Sequence, residues 1–168
     1  DPALMMFTSG TSGNPKCVVH AHRYLWGQRL QGEHWMGVRP GDRVWCTAAS
    51  GWSKSARNGF IAPWLRGATA VLHDGRFDAE ERMTILEEDR VDVLCMAPTE
   101  YRVIVNRGAV RPTRALRSCL AAGEALKTCA QAQLRLPGDV ADGLGHCDLA
   151  PSDNRGDRGA VLIGPGRF

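Results

Sequence analysis

The chain has 168 residues, a formal net charge of +3, 43% hydrophobic residues and 23% charged ones, which fits one soluble globular domain or a piece of a larger one. That balance excludes a disordered tail, a collagen-like repeat and a helical membrane span, and a surplus of +3 is too small to imply nucleic acid. Asp1-Pro2-Ala3 offers no basic stretch leading into an apolar one, so no signal peptide is expected. The six cysteines (17, 46, 95, 119, 129 and 147) are scattered without a C-x-x-C pair, which reads as reduced, cytoplasmic thiols packed as small apolar side chains.

Along the chain, Ala3-Leu4-Met5-Met6-Phe7 reads as a buried strand. It runs into Thr8-Ser9-Gly10-Thr11-Ser12-Gly13-Asn14-Pro15-Lys16, a loop by composition. Residues 17–20 suit a short strand, and 22–36 a helix with Leu25, Trp26, Leu30 and Trp35 as its apolar positions. Pro40-Gly41-Asp42 is a turn, 43–46 a strand, and Ser50-Gly51-Trp52 a break. Residues 54–66 are ambiguous because Pro63 interrupts any helix there. A strand is expected over 68–73.

The clearest helix covers 78–90. Asp78 can accept from a free N–H of the first turn, Glu81 occupies the capping-box position, and Ala79, Met83 and Leu86 share one face. Glu80, Glu81, Glu87, Glu88 and Asp89 form its solvated side. A buried strand over 91–97 ends at Pro98, and 99–106 returns to helix with Tyr101, Ile104 and Val105 apolar. Leu120-Ala121-Ala122 ends a strand at Gly123-Glu124, and 125–136 is helical. Alternating strands and helices predict an α/β fold with a mainly parallel sheet flanked by helices. The tail from Leu149, rich in Gly, Pro, Arg and Asp, offers one strand-like run at 160–163 and is expected to be poorly ordered.

Chemistry concentrates in the 8–16 loop, which carries four hydroxyl side chains, two glycines and one lysine. Glycines bring backbone N–H groups close to an anion, hydroxyls add donors without bulk, and Lys16 supplies a mobile positive charge. A strand leading into such a loop suits phosphate binding, although a polar surface turn has the same composition. Lys16 follows Pro15 and precedes Cys17, so the loop is not a Walker A motif.

Residues 7–16 resemble the signature of the adenylate-forming enzymes: acyl-CoA synthetases, peptide-synthetase adenylation domains and luciferases. Further segments match in order: Gly51-Trp52-Ser53-Lys54-Ser55, Pro63-Trp64-Leu65-Arg66-Gly67-Ala68, Ala97-Pro98-Thr99-Glu100-Tyr101-Arg102 and Ala121-Ala122-Gly123-Glu124-Ala125-Leu126. These look most like acetyl- to medium-chain acyl-CoA synthetases, ligases of fatty acid metabolism. The resemblance implies a fragment of the large N-terminal domain of such an enzyme, with 1–148 a partial AMP-binding domain and 149–168 a divergent tail. It also implies that ATP and a carboxylic acid give an acyl-adenylate, from which the thiol of CoA displaces AMP. Thr8 to Lys16 would then surround the β- and γ-phosphates, Gly123, Glu124 and Ala125 would border the adenine pocket, and Trp52 would lie near the acyl group, with a plain core role as its alternative.

The family's second nucleotide motif, aromatic-Gly-x-Thr-Glu, corresponds to Leu144-Gly145-His146-Cys147-Asp148, preceded by Asp142-Gly143. Leu144 lacks the ring face that would cover adenine, Cys147 is a poorer donor than threonine, and Asp148 carries the Mg²⁺-binding charge on a shorter arm. The ribose-binding Asp, the hinge and the C-terminal lid with its catalytic Lys have no counterpart here, so the isolated chain is expected not to complete acyl-CoA synthesis. Exposed sheet surfaces would favour self-association. The alternative is a non-catalytic nucleotide-binding or interaction module that retains the phosphate loop. Among other constellations, Cys17, His20, His22 and Cys46 fit no common zinc spacing, and the adjacent His146 and Cys147 seldom face one another as a thiol and its base must. Trp26, Trp35 and Trp45 suit a core or a lost interface better than a base-stacking platform.

Overall fold

The computed structural model describes residues 1–8 and 13–121. The expectations for Ser9 to Ser12, the 125–136 helix, the 142–148 motif and the tail from Leu149 lie outside the described residues.

Strands β1 (Pro2–Thr8) and β2 (Lys16–Ala21) pair antiparallel, with Met5 opposite Val19, Phe7 opposite Cys17 and Thr8 opposite Lys16. The expected strand at 3–7 is present, but it is not buried: Phe7 is 72% exposed and Met5 64%. The hairpin forms a separate two-stranded sheet, so it lacks the two-sided cover of a central strand.

The main sheet contains β3 (Arg43–Cys46), β4 (Thr69–Val71), β5 (Val93–Cys95) and β6 (Ser118–Leu120), all parallel in the order β4-β3-β5-β6. Both faces are covered, which is why the strands are apolar at nearly every position. On one face Trp45, Leu94 and Cys119 pack with Met83, Leu86, Tyr101 and Ile104. On the other, Val44, Cys46, Val93, Cys95 and Leu120 pack with Met36, Val38 and Ala62.

Two helical passes contain a π-turn. Helix α1 (Arg23–Leu30) runs into a π-turn at Gln31–Trp35, and its buried positions are Gln28, Gly32 and Met36. The apolar stripe expected there is not what faces the core, for Trp26 is 62% exposed and Leu30 45%. Close packing decides the face: a Cβ on Gly32 would meet the Ala62 carbonyl oxygen and Arg66 Cγ at 3.0 Å, and Gln31 Nε2 donates to Asn58 Oδ1 at 2.8 Å. The second pass joins α2 (Ser53–Ala56), a π-turn at Arg57–Ile61 and α3 (Ala62–Leu65). Pro63 does not break it. The π-turn resets the hydrogen bonding, with the Ala62 N–H donating to Arg57 O, and Pro63 falls in the first turn of α3 where its missing N–H costs little.

Helix α4 (Ala79–Glu88) keeps the cap and the buried face expected from its sequence, but the Glu81 side chain turns to His73 and does not close a capping box. Asp78 Oδ1 accepts from the N–H groups of Glu80 (3.0 Å) and Glu81 (2.9 Å), while Ala79, Met83 and Leu86 are buried. Glu81 reaches His73 Nε2 at 3.4 Å. Helix α5 (Pro98–Asn106) starts on the proline, and the Tyr101 hydroxyl lies 3.1 Å from Leu120 O and 3.3 Å from Leu94 O, fixing α5 to β5 and β6. Among the described residues, no helix is long and apolar enough to cross a membrane.

Candidate functional site

The hairpin register brings the two ends of the 8–16 loop together. Thr8 and Lys16 are the closing pair, and Thr8 Oγ1 donates to Lys16 O at 3.5 Å. Gly13 adopts φ +89°, a conformation natural to glycine and strained for other residues. Gly13, Asn14, Pro15 and Lys16 are all exposed, so the lysine ammonium and the neighbouring backbone are free to meet an anion from solution. Ser9, Gly10, Thr11 and Ser12, the rest of the donors, lie outside the described residues.

A second feature lies at the C-terminal ends of β3 and β4, the edge of a parallel sheet where α/β folds place ligands. A cavity of about 610 Å³ is lined there by Cys46, Thr47, Ser50, Ser55, His73 and Arg82, among others. Behind it Glu100 joins three elements. Its Oε2 accepts from Thr47 Oγ1 at 2.5 Å and from the Ala97 N–H at 3.3 Å, and its Oε1 lies 3.8 Å from Arg82 Nη2. Arg82, 5% exposed, also contacts His73 Nδ1 at 3.1 Å. A guanidinium can only donate, so Nδ1 accepts and the His73 proton sits on Nε2, toward Glu81. Arg82 Nε is buried without a hydrogen-bond partner. Arg82 and Glu100 thus offset one another in the wall, and the cavity presents the hydroxyls of Thr47, Ser50 and Ser55 together with the Asp74 carboxylate.

The sequence reading did not single out Thr47, His73 or Arg82. Glu100 had a local signal as the acidic residue two positions after the helix-starting Pro98, but its reach to Thr47 depends on the fold. Trp52 precedes α2 and is 71% exposed, which removes the core alternative considered for it. It stands between Ser50 and Ser55, both in the cavity wall. Of the three tryptophans weighed as core or interface, Trp45 is core and Trp26 exposed.

Cys46 and Cys95 are register partners on β3 and β5, and Cys46 Sγ donates to Lys54 O at 3.8 Å. The adjoining Cys95 sulfur and burial push the Cys46 thiol up, while the adjoining Cys46 thiol brings Cys95 down against the opposing effect of burial. The structure separates the other candidate thiol ligand, Cys17, onto the exposed hairpin. Among the described residues there is no group of three or more His, Cys, Asp or Glu side chains able to hold a metal ion. Gly123, Glu124, Ala125 and the 142–148 motif lie outside the described residues.

Residues 1–145 match the AMP-binding enzyme family. An uncharacterized acyl-CoA ligase of Bacillus subtilis, YtcI, is 37% identical over 129 residues, covering 75% of this chain and 24% of that protein. The human mitochondrial acyl-coenzyme A synthetase ACSM3 is 36% identical over 71% of this chain and 21% of its own length. The crystal structure of a Brucella canis acyl-CoA synthetase superposes with a TM-score of 0.72 at 31% identity, covering 82% of this chain and 26% of that one. A benzoate CoA ligase from Burkholderia xenovorans gives 0.69 at 29% identity, over 79% and 27% of the two chains. The chain spans about a quarter of the length of these relatives.

Proposed function

The chain belongs to the AMP-binding enzyme family, and from that premise we propose that it forms part of an adenylate-forming acyl-CoA ligase. The carboxylate of the acid attacks the α-phosphorus of ATP, pyrophosphate leaves, and the thiol of CoA then displaces AMP from the acyl-adenylate. The hairpin loop carries the proposal, because its register sets Thr8 and Lys16 side by side at the mouth of a donor-rich segment. Backbone N–H groups, hydroxyls and the Lys16 ammonium would gather round the β- and γ-phosphates and stabilise the charge that develops on the leaving pyrophosphate. Gly123, Glu124 and Ala125 would border the adenine, and Asp142 to Cys147 would complete the nucleotide pocket. Trp52, exposed beside the cavity, would border the acyl group. The acid belongs to the short, medium-chain or aromatic carboxylic acids.

Mg²⁺ would be held by Asp148 and would supply further charge neutralisation. Asp148 lies outside the described residues. The free thiols of Cys17, Cys46, Cys95 and Cys119 support a reducing compartment, the cytoplasm. The exposed Met5, Phe7, Val18 and Val19 support self-association of the isolated chain.

The deciding experiment is ATP–pyrophosphate exchange with a panel of acetate, medium-chain and aromatic acids. Exchange that depends on one of these acids supports the proposal. Nucleotide binding by calorimetry with no exchange for any acid supports the second reading, a non-catalytic nucleotide-binding module. Leu144, Cys147 and Asp148 favour that reading, since each departs from the family's second motif.

A further inference from the structure

We propose that Cys46 and Cys95 form an oxidisable dithiol site, which hydrogen peroxide entering the cavity converts into an intrachain disulfide joining β3 to β5. Three observations converge on the pair. The residues are register partners on adjacent parallel strands, whose spacing of about 4.8 Å falls inside the Cα separation that disulfides span, roughly 4.4–6.8 Å. Strand alternation puts both side chains on the same face, within one buried cluster. Both thiols are free.

Access and activation follow from the surroundings. Cys46 lines the cavity, and Cys95 lies fully buried behind it. Asn58 Nδ2 donates to Cys95 Sγ at 3.5 Å and the Lys54 charge favours the thiolate on Cys95. Selectivity is also geometric. Cys119 pairs in register with Leu94 and faces the opposite side of the sheet, while Cys17 stands on the exposed hairpin opposite Phe7.

The chemistry balances with peroxide as the only co-reactant. The Cys46 sulfur attacks one peroxide oxygen, the O–O bond breaks, the thiol proton passes to the departing hydroxide, and a sulfenic acid and one water result. The Cys95 thiolate attacks that sulfur, the S–O bond breaks, and hydroxide leaves as a second water with the remaining thiol proton. Two thiols lose two electrons, and one peroxide becomes two waters. A dithiol reductant reverses the change. Neither step depends on the ligase assignment.

The test is non-reducing peptide mapping of the native protein after peroxide treatment and alkylation. The expected result is a Cys46–Cys95 linked peptide, an intact mass lower by two hydrogens, and recovery of both free thiols with dithiothreitol. In Cys95→Ser the link should be lost and Cys46 should instead be trapped as its sulfenic acid by dimedone. The wild-type map needs no substitution, so it decides even if that variant does not fold. Both cysteines remaining alkylatable, unlinked sulfinic acids at both, or a link from either one to a different cysteine would each overturn the proposal.

Discussion

The guanidinium of Arg82 lies over the ring of Trp45, 4.9 Å from its centroid. The same side chain meets His73 at 3.1 Å and Glu100 at 3.8 Å, so one buried cation ties α4 to the centre of β3, the exit of β4 and the start of α5. Arg82→Met keeps much of the stem that packs on the ring but leaves Glu100 without its cation. It should destabilise the fold by about 2–4 kcal/mol, since removing one partner of a buried pair strands the other. A urea midpoint unchanged from wild type would contradict this.

A smaller loss is expected at the start of α4. Asp78→Ala removes the oxygen that satisfies the Glu80 and Glu81 N–H groups, which should cost about 1 kcal/mol, whereas Asp78→Asn should retain most of the cap. Equilibrium denaturation of the two variants side by side separates the outcomes.

At the α1–α3 crossing the constraint is space. Gly32→Ala would place a methyl group 3.0 Å from the Ala62 carbonyl oxygen, a backbone atom that cannot swing aside. A loss of about 1–3 kcal/mol is expected from overpacking. A variant as stable as wild type would show that the two helices can separate freely.

Local signals made α4 legible: an acceptor at Asp78, acids in the first turn and apolar residues at helical spacing. The central strands were legible too, because a sheet covered on both faces leaves nearly continuous apolar runs such as Val93–Cys95. Burial of Met5 and Phe7 was misread because it depends on what covers a strand, and a continuous apolar run such as 3–7 does not report that. Passage of the helix through Pro63 was missed because a π-turn shifts the hydrogen bonding by one residue and leaves no mark in composition. In the candidate site, the 8–16 loop stood out through its own residues. The Thr47–Glu100 bond joins positions 53 apart in sequence, and the Cys46–Cys95 pair needs the β3–β5 register, so neither could be read locally.

The second nucleotide motif offers a gain-of-function prediction. Leu144→Tyr, Cys147→Thr and Asp148→Glu together should tighten Mg-ATP binding. A ring supplies a face for adenine, a hydroxyl is a better donor than a thiol, and the longer acid reaches farther toward the metal. At about 1 kcal/mol for each change, affinity should improve by about tenfold or more, and the gain should shrink when Mg²⁺ is withdrawn. Unaltered affinity in a folded triple variant would show that this stretch is not the nucleotide motif.

The placement of the outer phosphates at the hairpin tip is tested most directly by calorimetry of ATP and AMP against wild type and Lys16→Ala. The lysine closes the loop opposite Thr8 and would face the β- and γ-phosphates. The substitution should weaken ATP by about tenfold, the scale of one charge-assisted contact, and leave AMP nearly unchanged. Equal losses for the two nucleotides, or none for either, would contradict that placement.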